Sequence, residues 1–253
     1  MTGRRALASA AARQAAEART GPPEFCGPRT GVVWQDVYAD PDRWSRAHPD
    51  AAMLTGWITG YLAEPHPDLG RDGPVCPFVR QATLRRALWM AVLPGGDDLT
   101  VDDLSASILD ARDLYQRLRD GRDERWLTTV TAFPGLTDTG RVDHAHRLHK
   151  TEVVCDGLML GQFYPGCRVP GLWNIDFHPL DAPLPMLVIR PMMTTDFPFL
   201  VAHTEWLYAY FGKVAPQLPR ALRWSIAERM RVSEEEAGRI TALRVHDRDE
   251  HAT

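Results

Sequence analysis

The sequence is poor in cysteine. Four occur in 253 residues, at Cys26, Cys76, Cys155 and Cys167, with no pairing rhythm and no C-x-x-C spacing. This excludes a disulfide scaffold and points to a reduced compartment, the cytoplasm. No apolar run approaches the ~20 residues that cross a bilayer. Residues 1–19, rich in Ala and Arg, lack the apolar core of a secretory signal. A formal net charge of −4, with no basic stripe interleaved with aromatics, gives no reason to expect nucleic acid. Also missing are a Gly-rich phosphate loop, a dinucleotide fingerprint, a G-x-S-x-G elbow and an H-E-x-x-H pair. There is no internal repeat and no low-complexity tract.

What remains is ordinary in bulk, with 44% hydrophobic and 25% charged residues. Its 253 residues suit one domain with extensions. Residues 1–30 read as an N-terminal helical extension and a Gly/Pro-rich linker. Leu54, Trp57, Ile58, Tyr61 and Leu62 have helical spacing, closed by Pro65 and Pro67. The runs 86–93, 126–133, 158–163 and 184–190 read as strands. Between them, Thr100 caps a helix with apolar positions from Val101 to Leu118, and 142–154 reads as another. Asp196 is expected to cap a helix carrying Leu200, Leu207, Phe211 and Val214. A last helix follows Pro219, and Ser233 with Glu236 forms a capping box. The predicted fold is α+β: a mostly antiparallel sheet of about four or more strands flanked by helices, one domain over 31–243. Residues 244–253 read as a disordered tail.

The densest chemistry lies in His66-Pro-Asp-Leu-Gly-Arg71-Asp-Gly-Pro-Val-Cys76-Pro77-Phe78. Pro77 suits the first turn of a helix, which would put Cys76 at its N-cap among free N–H groups that favour a thiolate. Such a sulfur is a nucleophile, a metal ligand, or a buried structural thiol. As a nucleophile it would take His66 as base, with no acid partner evident. Arg71 and Arg80 lie near it in sequence and suit anionic groups.

Other segments offer less. His144, His146 and His149 fall at roughly 0°, 200° and 140° on a helix, so they form no three-histidine cage. His149 is expected to point inward. Gly157 and Gly161 bracket a short apolar strand and permit close approach of another group. The long, proline-rigid loop 164–183 carries Trp173 and Phe177 and reads as a lid or pocket wall. Arg190 ends a strand, and either pairs with Asp196 or binds a carboxylate.

Together, PHPDLGRDGPVCPFV, GLMLGQFYPG, GLWNIDFHPL and PMLVIRPMMTTDFPFL resemble a bacterial family of unknown function over roughly residues 50–215. The Cys-Pro-Phe turn, with the strand WLTTVTAF beyond it, also resembles the YqcI/YcgG family. That resemblance implies a heme-dependent enzyme that N-hydroxylates guanidino groups, with Cys76, Pro77 and Phe78 at the heme and Cys76 as the iron ligand. The Cys-Pro start is similar to that of heme-thiolate peroxidases, which match nowhere else.

The expectation is therefore a heme-thiolate oxidoreductase of small-molecule metabolism. Cys76 is the axial ligand and Arg71, Arg80 and Arg190 face propionates or a substrate carboxylate. His66 and His149 are polar residues of the pocket. The partners are a small-molecule substrate and an electron donor, and a homodimer is compatible. The alternatives are a cofactor-free enzyme with Cys76 as nucleophile, and a protein that binds a small acidic ligand with Cys76 structural.

Overall fold

The computed structural model describes residues 24–119 and 124–238. Six strands form one sheet in the order β1-β2-β3-β4-β6-β5. They are β1 (Glu24–Cys26), β2 (Val33–Asp36), β3 (Leu88–Val92), β4 (Thr128–Ala132), β5 (Leu158–Phe163) and β6 (Met186–Pro191). All neighbours pair antiparallel except β3 and β4. That parallel pair needs a crossover, and the 19-residue helix α4 supplies it. The α+β expectation holds.

The helices are α1 (Pro41–Ala47), α2 (Met53–Trp57), α3 (Val79–Leu84), α4 (Val101–Arg119), α5 (Gly140–Cys155), α6 (Thr204–Val214) and α7 (Arg220–Met230). α2 continues into a π-helical turn, Ile58–Leu62. Thr100 starts α4 as its position predicts: Asp103 N donates to Thr100 Oγ1 at 3.2 Å, and Thr100 N to Asp103 Oδ2 at 2.8 Å. The Ser233–Glu236 box also forms, with Glu236 N donating to Ser233 Oγ at 3.1 Å.

Two cores cover the two faces of the sheet. On the first, Trp89, Ala91, Leu187, Ile189, Leu158 and Leu160 pack under Leu104, Ile108 and Leu114 of α4 and Val142, Ala145 and Val153 of α5. On the second, Leu88, Met90, Val130, Ala132 and Met186 pack under Trp44, Leu54, Ile58, Leu62, Phe78 and Val79. Burial at a full side chain contributes about 1.5–3 kcal/mol, so both layers are needed to hold a sheet apolar on both faces.

Three readings need correction. The described part of the expected helical extension and linker, residues 24–30, is strand and turn: β1 pairs with β2, and β2 with β3. Strands of three and four residues are too short for alternation to reveal. Asp196 does not cap α6. It lies in a separate 3-10 turn, Thr194–Phe199, and α6 begins only at Thr204. Cys76 is not a helix N-cap: α3 begins at Val79 with Phe78 as N-cap. Residues 1–23 and the tail 244–253 lie outside the described residues.

Candidate functional site

The site begins as a gap in the second core. β6 lies between β4 and β5, yet its second-face residues Val188 and Arg190 stay partly exposed while Leu187 and Ile189 are buried. On neighbouring β5, Gly161, Gln162 and Phe163 are also partly exposed. The equivalent residues of β3 and β4 are sealed. The covering layer therefore thins over the β5–β6 end. Trp57, Tyr61, Cys76, Phe163, Leu184, Val188 and Met193 are half-buried and packed against the second core there.

An aromatic chain runs along this thinner region. Phe163 meets Trp57 edge-on at 6.2 Å, Trp57 stacks on Tyr61 at 5.5 Å, Tyr61 meets His66 at 5.9 Å, and His66 meets Phe177 at 4.7 Å. The loop 164–183 is a fixed wall. Tyr164 N donates to Leu180 O and Ala182 N returns to Tyr164 O, while Gly166 N donates to Asp181 Oδ1 at 2.8 Å. Asn174 Nδ2 donates to Asp68 O at 2.8 Å, tying this loop to the Cys76 segment. Gly70 completes the contact, in the left-handed region at φ 76° with Trp173 O only 2.4 Å from where a Cβ would sit.

Cys76 is held by its backbone. Its N–H donates to Leu62 O at 2.8 Å, at the end of the π turn, and Val75 N donates to Glu64 O at 2.9 Å. Arg71 accounts for the stiffness of the preceding loop: it donates to the carbonyls of Asp72 and Pro74 at 2.9 Å and of Val75 at 3.2 Å.

Arg190 and Asp196 form a fork-to-fork pair, both contacts at 2.8 Å, and Asp196 also accepts from Met193 N at 2.7 Å. The Asp196 side chain is 3% exposed and that of Arg190 26%. Burial works against the Arg190 charge. Hydrogen bonds to Asp196, its field and then the field of Cys76 more than offset that, and the Arg190 pKa ends raised. Cys76 thus lies within reach of the Arg190 charge.

From α5, Lys150 Nζ donates to Leu160 O at 2.5 Å, and His146 Nε2 shares that carbonyl at 3.0 Å. β5 is an edge strand, and these two side chains cap its outward carbonyl. Burial, then the charge of Arg190, pushes the Lys150 pKa down to about 8, with Asp196 pulling the other way. Burial, then Lys150, lowers His146 to about 4 from 6.5. The unfolded chain therefore binds the extra proton between those two values, and stability falls as pH falls through that window. A urea series should register a loss of up to about 3 kcal/mol from this one group. His146→Gln should flatten that part of the profile, and an unchanged acid slope would refute the assignment.

The residues singled out in the sequence do not all converge. Cys76 and Arg190 do. Phe78 is a core side chain, 2% exposed and 5.3 Å from Trp126. Arg71 braces its own loop rather than facing an anion. Pro77 and Arg80 are exposed. His66 belongs to the wall, but its Nδ1 accepts from Asp68 N at 3.2 Å and no hydrogen bond links it to Cys76. His149 turns toward Glu152, 3.8 Å away, a residue that Arg112 of α4 also holds. The His149 side chain is only 17% exposed, as expected, but the histidine that reaches β5 is His146. Lys150 is the residue that sequence reasoning missed. A signal existed, since only Lys150 and Lys213 among the 29 basic residues are lysine. Lysine, unlike arginine, can titrate when buried.

Residues 51–225 match the family described as Domain of unknown function (DUF6875). The chain belongs to this family. The DUF6875 match spans the Cys76 segment, β3 to β6 and the whole of the opening, and leaves out β1, β2 and α1. No curated protein and no solved structure matches the chain. Among the described residues of this DUF6875 protein, no helix is long and apolar enough to cross a membrane.

Proposed function

We propose that this protein is an oxidoreductase of small-molecule metabolism, with heme in the opening over β5–β6 and Cys76 as the iron ligand. The observation that carries the reading is the setting of Cys76: half-buried, fixed through Leu62 O, and within the field of Arg190 beside aromatic walls. Flat apolar walls suit a porphyrin, and Arg190 and Lys150 are cations suited to its propionates. Arg71, Arg80 and His149 do not contribute, because their places in the fold turn them elsewhere. Among the described residues there is no group of three or more His, Cys, Asp or Glu suited to a metal ion, and a single axial sulfur asks for none. The likeness of the Cys76-Pro77-Phe78 turn to the YqcI/YcgG family supports the same reading and suggests N-oxygenation of an amino acid or amine. The four cysteines are free, as suits the cytoplasm.

Bound there, heme supplies the oxidising chemistry, with peroxide or with dioxygen and an electron donor. The chain's own groups have simpler tasks. The Cys76 sulfur would hold the iron, with the Arg190 guanidinium as a neighbouring cation. Trp57, Tyr61 and Phe163 would line the opening as apolar walls. A second reading keeps Cys76 as a nucleophile without cofactor. Cys76 is a free, half-buried thiol, which favours this, whereas no hydrogen bond brings His66 to it as a base.

An absorption spectrum separates the two. Protein produced with heme precursor should show a Soret band and, reduced under carbon monoxide, the red-shifted band of a thiolate-ligated heme. Cys76→Ala should abolish that shifted band. A colourless protein that takes up no added hemin would sink the proposal, and rapid inactivation by iodoacetamide in that state would favour the nucleophile.

A further inference from the structure

Lys150 and Arg190 come from different elements, α5 and β6. Lys150 Nζ is bound to Leu160 O, the neighbour of Met159, which pairs with Arg190 across β5 and β6, and the Arg190 charge reaches Lys150. Their donors are not used up. Arg190 Nη1 donates to Asp196 Oδ2 and Pro191 O, and Nη2 to Asp196 Oδ1. This leaves Nε–H and the second Nη2–H without a partner among the described residues. These two bonds run parallel along the side of the guanidinium and match the two oxygens of a carboxylate. Lys150 has three N–H bonds, and Leu160 O takes one. While Cys76 is a thiol the charge is not balanced either, since two cations then stand against the single carboxylate of Asp196. His146, also on Leu160 O, adds no negative charge. That excess positive charge favours an anion beside the pair. The 26% exposure of the Arg190 side chain leaves that free edge reachable.

We infer that Lys150 and Arg190 together form a subsite for a carboxylate group of the molecule that occupies the opening over β5–β6. The inference rests on the placement of the site proposed above, but not on heme. The carboxylate belongs either to the substrate or to a porphyrin propionate. A lysine pKa of about 8 gives the subsite a pH limit: above that value Lys150 loses its proton in the field of Arg190 and Asp196, and binding weakens.

The experiment is calorimetric titration of benzoate into heme-free protein. One molecule should bind saturably, and neutral benzamide should not. Affinity should fall above about pH 8. Lys150→Met should weaken benzoate about tenfold, the loss of one charge-assisted hydrogen bond, and Lys213→Met should leave it unchanged. Lys150→Arg should keep binding but remove the alkaline fall, because arginine does not titrate there. In the wild-type chain, benzoate should slow acylation of Lys150 relative to Lys213, which needs no variant to fold. Hemin-loaded protein that no longer takes benzoate assigns the carboxylate to the cofactor; loaded protein that still takes it assigns the carboxylate to the substrate. Benzoate that fails to bind, or binds Lys150→Met as well as wild type, overturns the inference even if the protein is heme-loaded. A colourless protein that binds benzoate keeps this subsite and removes the heme.

Discussion

Asp196→Ala will destabilise the protein by about 3–5 kcal/mol, the range for removing one partner of a buried ion pair. The Asp196 carboxylate is 3% exposed and satisfies both ends of the Arg190 fork and the N–H of Met193. Without it Arg190 cannot shed its charge, because guanidinium does not deprotonate in proteins. It then faces Lys150 with no carboxylate between them, so both the packing and the field turn unfavourable. Asp196→Asn keeps the shape and should lose less. Urea unfolding of the three proteins measures this directly, with midpoints compared at a common slope. Added benzoate should restore part of the loss in Asp196→Asn, since a bound anion replaces the missing charge. A loss under about 1 kcal/mol for the alanine variant would mean that water entering the opening already screens Arg190.

Asp110→Ala should cost about 3 kcal/mol, for a different reason. Asp110 lies on α4 with its side chain fully buried, and it organises the turn between β1 and β2. Thr30 N and Oγ1 donate to it at 2.9 and 2.8 Å, and Arg29 N at 3.2 Å. Removing the carboxylate strands part-buried donors that belong to another part of the chain. The Arg29 guanidinium adds little to the sum, because it is 41% exposed and returns to water. Gly27 tests the same seat from the other side: a Cβ there would stand 2.3 Å from Asp110 Oδ2 and 2.9 Å from Trp34. Gly27→Ala should therefore be destabilising alone and milder in the Asp110→Ala background. A double-mutant cycle reads that coupling, and strict additivity would contradict the shared seat. The outcome matters for the family boundary, since DUF6875 begins at residue 51 and the turn held by Asp110 lies before it.

The long elements were legible because each advertises its own period. The apolar positions of α4 and the buried run of β4 define their segments locally, and Thr100 marks a helix start by chemistry that acts three residues away. β1 and β2 were not legible, being too short to show alternation and existing as strands through pairing along the β3 side of the sheet. Asp196 was misjudged for a related reason. Its local context suits a helix cap, but the partner that claims it is the guanidinium of Arg190.

By itself the sequence determined the α+β class, the order of the main strands and helices, and Cys76 and Arg190 as residues to follow. Those conclusions rest on interactions between near neighbours in the chain, and a single sequence records them. Only the tertiary structure decided that Arg71 braces a loop, that His146 rather than His149 reaches the β5 edge, and that Lys150 joins Arg190 near Cys76. These residues lie far apart in the chain. What joins them is the sheet order, which sets β5 at an edge beside β6 under α5 and leaves the second core thin above that pair. Burial and electric field depend on distance in space, so the chemistry of this cluster exists only once the sheet has assembled.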